Sequence, residues 1–287
     1  MKIIRAQHLG MCFGVRDAIQ LALNQNQSGP LTILGDLVHN ETVLESLRAN
    51  GIRMAQQVGQ VQTDTVMITA HGASETMMQR VRDRGLQVLQ ATCPLVHSAH
   101  DALRGLVAQG YHPVIIGQAG HVEVRGMTED LLTCEVVLSE AEVLALTERP
   151  RFGVVAQTTQ PLQRVHQLVN HLRERFPQSE IKFVDTVCRP TKQRQYAAVE
   201  LAGQADVVIV IGGANSNNTR ELVQTCRQYC NRVHHVQTAR DLEAEWFYEA
   251  ETVGITAGTS TPDILIEQVE AAIHQLAPAH GEPLLTC

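Results

Sequence analysis

Apolar residues fall along this chain in two alternating rhythms. Short aliphatic runs, the mark of strands, give way to stretches in which apolar residues return at i, i+3, i+4 and i+7, the mark of a helix with one buried face. Three of these strand-to-helix passages carry a cysteine at the junction. Lys2-Ile3-Ile4 leads to Cys12 and then to Val15, Ala18, Ile19, Ala22 and Leu23. Val88-Leu89 leads to Cys93 and then to Leu95, Ala99, Ala102, Leu103, Leu106 and Val107. Ile181-Lys182-Phe183-Val184 leads to Cys188 and then to Ala198, Leu201, Ala202 and Ala205.

The parallel continues downstream. Each helix is followed by an aliphatic run ending in glycine, at Gly35, Gly117 and Gly212, which stand 23, 24 and 24 residues after their cysteines. A polar residue arrives at an offset of 27 or 28, namely His39, His121 and Asn215. A further aliphatic run then ends at His71, at Gln157-Thr158-Thr159 and at Thr259-Ser260. Amphipathic helices are predicted to follow, beginning near Ser74, Pro161 and Pro262, and proline suits a first helical turn. Offsets that agree within one residue make this an internal repeat. The predicted class is α/β, with three pseudo-equivalent domains of mainly parallel sheet. Their expected bounds are residues 1–92, 93–187 and 188–275, followed by a C-terminal tail, 276–287. In parallel sheets ligands bind beyond the carboxyl ends of the strands, where helix N-termini also point. Every polar residue named above stands at such an end, so three units packed about a pseudo-threefold axis would bring them, and the cysteines, to one centre.

Composition narrows the function classes. Aromatic residues are only 3%, and the apolar content is carried by Val, Leu, Ile and Ala, the bias of buried parallel strands. The net charge of −7 argues against a broad nucleic-acid or acidic-membrane surface and leaves room for a small anion site. The longest aliphatic run, Val207–Ile211, is too short to cross a bilayer. The first residues lack the apolar segment of a signal peptide. The expectation is a cytoplasmic protein with neither nucleic acid nor membrane as partner. In such a compartment the seven cysteines read as free thiols, metal ligands or catalytic groups rather than a disulfide framework. Cys134, Cys226 and Cys230 read as core residues, and Cys287 falls in the tail.

Three thiolates from distant segments suit a metal centre with one open position. Structural zinc usually takes four ligands from close pairs, which are missing around Cys12, Cys93 and Cys188. An iron–sulfur cluster fits soft thiolates better, although a single buried cysteine is more often a packing residue. His39-Asn40, His71, His121, Thr158-Thr159, Asn215 to Asn218 and Ser260 supply small donors near helix starts, a set that can hold a phosphate or diphosphate without a basic surface. Glu123 is the carboxylate placed to donate a proton, against the plain alternative of an exposed helix glutamate.

In their order along the chain, several segments resemble the LytB/IspH family of 4-hydroxy-3-methylbut-2-enyl diphosphate reductases. They are Gly10-Met11-Cys12-Phe13-Gly14-Val15, Val38-His39-Asn40, Ala70-His71-Gly72, Ala91-Thr92-Cys93-Pro94, Gly120-His121-Val122-Glu123, Gln157-Thr158-Thr159, Asp185-Thr186-Val187-Cys188, Asn215-Ser216 with Asn218, and Thr256-Ala257-Gly258 through Ser260-Thr261-Pro262. The resemblance spans about residues 8 to 270. It implies a trefoil of three α/β domains around a central [4Fe-4S] cluster with three cysteine ligands and one open iron. It also implies removal of a hydroxyl with two electrons and two protons to give isopentenyl and dimethylallyl diphosphates, the last step of the non-mevalonate isoprenoid pathway. Cys12, Cys93 and Cys188 match the cluster ligands. His39, His71, His121, Ser216, Asn218 and Ser260 match the diphosphate-binding positions. Glu123 matches the proton-delivering acid, and Thr158 the hydroxyl that orients the substrate alcohol. Reduced ferredoxin or flavodoxin is the implied electron donor.

Three places depart from the family pattern. Val122 stands where proline is common. Asn217 replaces a serine, and as a polar donor it stays among the expected diphosphate ligands. Arg189-Pro190 follows the third cysteine in place of a small residue. A divergent paralogue would share the cluster ligands, as would an iron–sulfur sensor, although a sensor has no need of Glu123 and Thr158. Quinolinate synthase-like dehydration also uses three domains, three cysteines and an open iron, but the flanking motifs fit it poorly.

Overall fold

Five consecutive β-branched residues, Val207–Ile211, form a strand with every residue buried, which requires cover on both faces. In the computed structural model, which describes residues 1–276, that cover is helical. Val208 and Val210 pack on Ala198, Leu201, Leu222 and Cys226, whereas Val207, Ile209 and Ile211 pack on Ile266, Val269 and Ile273. The strand's two-residue period thus feeds two separate hydrophobic layers.

Three four-stranded sheets are present among the described residues, and every pairing in them is parallel. One has the order β3 (Arg53–Ala55), β2 (Leu31–Leu34), β4 (Thr65–Ile68), β5 (Gln87–Gln90). The next has the order β7 (Glu135–Val137), β6 (His112–Ile116), β8 (Arg151–Ala156), β9 (Glu180–Phe183). The last has the order β11 (Val233–Val236), β10 (Val207–Ile211), β12 (Thr252–Ala257), β1 (Lys2–Arg5). The first two sheets share one pattern, with the second strand at one edge and the fourth at the other, and in the third β11 takes one edge and β1 the other.

The opening strand departs from the expected partition. β1 does not join the sheet of residues 31–90. It pairs with β12, Lys2 against Thr252 through Arg5 against Ile255. It fills the edge position that β5 and β9 fill in the other two sheets. Pairing follows the free edge of a sheet rather than nearness in sequence. Each cysteine therefore stands on the passage out of one sheet and into the next: β1 to α1 (Phe13–Ser28), β5 to α4 (Pro94–Ala108) and β9 to α8 (Arg189–Ala202). By contact the chain divides into two compact units, Cys12–Lys192 and the segment Met1–Met11 with the chain from Gln193 onward. The expected tail beyond Leu276, with Cys287, lies outside the described residues.

Repetition extends to packing. Gly153 in β8 and Gly254 in β12 each leave room for a leucine of the crossing helix, since an added Cβ would stand 2.9 Å from Leu106 Cβ and 2.8 Å from Leu201 Cγ. Both leucines lie thirteen residues after their cysteines. Among the described residues no helix is long and apolar enough to cross a membrane.

Candidate active site

All three repeat cysteines belong to the unit Cys12–Lys192, and each immediately precedes a helix. Their carbonyls accept the first helical N–H bonds, from Arg16, His97 and Lys192. The Cys93 N–H donates to Ala70 O and the Cys188 N–H to Thr158 O, both at 3.0 Å, so each thiol is anchored to the loop beyond the third strand of a sheet. A helix N-terminus favours a thiolate. Burial opposes it here: it pushes the Cys93 thiol up, and the Cys188 thiol up to about 11 despite Thr191 Oγ1 at 3.1 Å. Charge on Cys12 raises both further, which places Cys12 within electrostatic reach of the other two. Half-buried thiols of this kind would give up their protons to a soft cation held among them. Room for it is kept on one side by Gly14, where a Cβ would stand 2.5 Å from Cys93 Sγ. The donor set and this cradle fit an iron–sulfur group.

Three histidines from three separate elements gather in the same unit. His39 precedes α2 (Glu41–Ala49), His71 lies in the turn before α3 (Glu75–Asp83), and His121 caps α5 (Val122–Thr128). His39 and His71 stack with centroids 4.4 Å apart, and His121 meets them edge-on at 5.2 and 5.5 Å. One nitrogen from each lies within 4.8 Å of the others. Burial, then the neighbouring rings of His39 and His121, push His71 well below the ordinary imidazole value, so it is neutral near pH 7. His71 Nδ1 is shut off from solvent with no hydrogen-bond partner among the described residues. His121 Nδ1 accepts the Glu123 N–H at 3.1 Å, which leaves the ring proton on Nε2 as a donor.

Glu123 is only 1% exposed, so the reading of an ordinary surface glutamate does not hold. Its Oε1 accepts the Thr158 N–H at 2.6 Å and its Oε2 the Thr158 hydroxyl at 2.9 Å. Burial outweighs both bonds and raises the carboxyl to about 7. The group is therefore poised to hold and release a proton near neutrality. Its charge is felt at both Cys93 and Cys188.

Ser216, Asn217, Asn218 and Ser260 lie in the other compact unit. All four are buried at the carboxyl ends of β10 and β12. Ser216 caps α9 (Asn217–Arg227) by accepting the Thr219 N–H at 3.3 Å, leaving its own hydroxyl proton to donate. Asn218 Oδ1 accepts the Thr259 N–H at 2.9 Å and so draws the 216–218 turn to the 259–260 turn. Its Nδ2 is buried with no hydrogen-bond partner among the described residues. A buried amide donor of this kind is what a phosphate oxygen satisfies.

The structure adds residues that the sequence reading left out. Gln157, fully buried, accepts from the Gln118 N–H at 3.0 Å and donates to Thr159 Oγ1 at 3.2 Å, bracing the Thr158 turn against the turn before His121. Its place in the Gln157-Thr158-Thr159 run was the available signal. Thr191, one helical turn into α8, was unmarked. Arg189 is exposed and Pro190 buried in the first turn of α8, as a first-turn proline should be.

Residues 3–274 match the family model described as LytB protein. The chain is 38% identical over 272 residues to a 4-hydroxy-3-methylbut-2-enyl diphosphate reductase of Geobacter sp. (strain M21), covering 94% of this chain and 95% of that one. It is 37% identical to the protein of the same name from Aquifex aeolicus (strain VF5), covering 96% of each. A solved structure of (E)-4-hydroxy-3-methyl-but-2-enyl diphosphate reductase is similar with a TM-score of 0.67 and 35% identity, over 96% of this chain and 99% of that one. The Plasmodium falciparum E-1-hydroxy-2-methyl-but-2-enyl-4-diphosphate reductase shares the fold, with a TM-score of 0.90 at 23% identity over 99% of this chain and 95% of that one.

Proposed function

The chain belongs to the LytB family, and we propose that it reduces (E)-4-hydroxy-3-methylbut-2-enyl diphosphate to isopentenyl and dimethylallyl diphosphates. The substrate's C4 hydroxyl leaves as water, two electrons and two protons enter, and the carbon skeleton keeps its diphosphate. The observation that carries this reading is the buried Glu123–Thr158 pair, within electrostatic reach of cysteines in the unit that also holds the histidine triad.

Each group of residues has a task that follows from its chemistry. His39, His71 and His121 bind the diphosphate through ring N–H groups, with His121 Nε2–H the defined donor and His71 neutral. Ser216, Asn217, Asn218 and Ser260 supply uncharged hydroxyl and amide donors suited to phosphate oxygens. Thr158, fixed by Glu123, orients the substrate alcohol through its hydroxyl. Glu123, protonated for about half the time near pH 7, gives the proton that lets the hydroxyl leave as water. Cys12, Cys93 and Cys188 would hold a [4Fe-4S] cluster with one iron free of protein ligands. When bound, this group supplies the reducing electrons and a Lewis-acidic iron. Reduced ferredoxin or flavodoxin is the proposed donor. The family assignment sets aside the sensor and quinolinate synthase-like readings.

The test is turnover by anaerobically reconstituted protein with a reduced viologen dye. Formation of the two five-carbon diphosphates is the expected result. A cluster-loaded protein that leaves the substrate unchanged would overturn the reading and point to a paralogue whose substrate is set around Val122, Arg189 and Asn217.

A further inference from the structure

Two carboxylates just past α5 take no part in the chemistry above, yet both reach across to the turn that carries His71. Asp130 Oδ2 accepts the Glu75 N–H at 2.6 Å, and Asp130 Oδ1 accepts the Thr76 N–H at 2.9 Å. These are the first two N–H groups of α3, which have no acceptor within their own helix. Burial pushes the Asp130 carboxyl up, but the N–H groups of Thr76 and Glu75 outweigh it and hold the group below the ordinary carboxylate value. Glu129 Oε2 accepts the Ser74 hydroxyl, and Glu129 Oε1 lies 3.3 Å from Arg80 Nη1.

Between these bonds and the histidines the two backbones run close together. A Cβ added at Gly126 in α5 would stand 3.5 Å from Ala73 Cα and 3.4 Å from His100 Cε1. His100, only 8% exposed, fills the rest of the seam beneath Gly72. The turn from Ala70 to Ser74 and the helix that starts at His121 thus share one packed boundary, clamped at its far end by acidic side chains.

We propose that Glu129 and Asp130 are positioning residues for diphosphate binding: they clamp the His71 turn to α5 and so set the spacing of His71 against His121. The inference rests on the diphosphate reading of the histidines. It assigns Glu129 and Asp130 no contact with substrate. Their effect falls on binding rather than on proton transfer, because Glu123 is fixed separately by Thr158.

Inorganic pyrophosphate is the probe, titrated calorimetrically into the anaerobic, cluster-loaded protein. Asp130→Ala is expected to raise its Kd about tenfold, the factor that matches a lost cap. KM for the diphosphate substrate should rise in parallel, with kcat within about threefold and cluster absorbance unchanged. Asp130→Asn, which keeps an acceptor without the charge, should fall between. A wild-type Kd in the folded Asp130→Ala protein, with only its thermal midpoint lowered, would overturn the inference. If Asp130→Ala does not fold, Asp130→Asn carries the test, and an unchanged Kd there overturns it equally. Wild-type protein that binds no pyrophosphate would instead refute the diphosphate reading itself.

Discussion

Replacing Glu123 by glutamine removes one titratable proton from a site that is otherwise left in place. The amide is isosteric, its carbonyl can take the Thr158 N–H bond now made at 2.6 Å, and its NH2 can donate to the Thr158 hydroxyl. Loss of a positioned general acid costs about 10²–10⁴ in rate, or roughly 3–5 kcal/mol of barrier. The carboxyl also leaves a mark on stability. Its value of about 7, against 4.5 in an unfolded chain, means that the folded state binds more protons between those two values. Stability is then fully present below the lower value and is lost as pH rises through the upper one, by about 3 kcal/mol in all. Between pH 6 and 8.5 the wild type still has about 1–2 kcal/mol of this to lose, whereas Glu123→Gln has none. The assay is paired: kcat with a viologen donor, and thermal midpoints of the loaded protein at the two pH values. Wild-type kcat should fall as pH rises above about 7, and the residual activity of the variant should not follow that profile. A variant with kcat within about threefold of wild type, and the same pH profile, would refute the assignment and the proton would have to come from elsewhere.

Two further changes bear on the thiols. Cys93→Ser should abolish the visible absorbance of the reconstituted protein while far-ultraviolet circular dichroism stays native; retained absorbance would remove Cys93 from the ligand set. Gly14→Ala puts a methyl group 2.5 Å from Cys93 Sγ, an overpacking of roughly 1–3 kcal/mol borne by the proposed ligand itself. Iron and sulfide per chain should fall to less than about half, and a fully loaded Gly14→Ala protein would show that the cradle is not needed.

Much of this was legible in the sequence for a physical reason. The thirteen-residue spacing from cysteine to crossing leucine and the near-constant offset to the strand-end glycine are local, and local periodicity reports helices and strands directly. Ser74, Pro161 and Pro262 mark the starts of α3, α7 (Leu162–Arg175) and α10 (Asp263–Leu276) because capping chemistry is equally local. The sheet membership of β1 was not legible, since an exposed-edge strand of four residues can pair with any free edge of matching length. β3 and β11 were unmarked for a similar reason: Arg53–Ala55 and Val233–Val236 are short and only partly buried, whereas the strand-like run Cys134–Leu138 announced β7. Asp130 was one acid among 30 Asp and Glu residues, and nothing in its neighbours announces that two helix N–H groups await it. The raised value of Glu123 follows from burial, a property of the folded surroundings and not of the spacing to His121.

The place of β1 has a consequence for how the molecule is made. Synthesised in the N-to-C direction, the chain produces β1 well before β12, yet the two are neighbours in register from Lys2–Thr252 to Arg5–Ile255. β1 must wait for the partner it has in the folded sheet while all the residues between the two are made. Its late capture costs little at equilibrium, since each doubling of loop length adds only about 0.6 kcal/mol of closure entropy. In time it costs more. The sheets of residues 31–90 and 112–183 have all their strands before β12 can accept β1 at its edge, so that edge is closed after theirs.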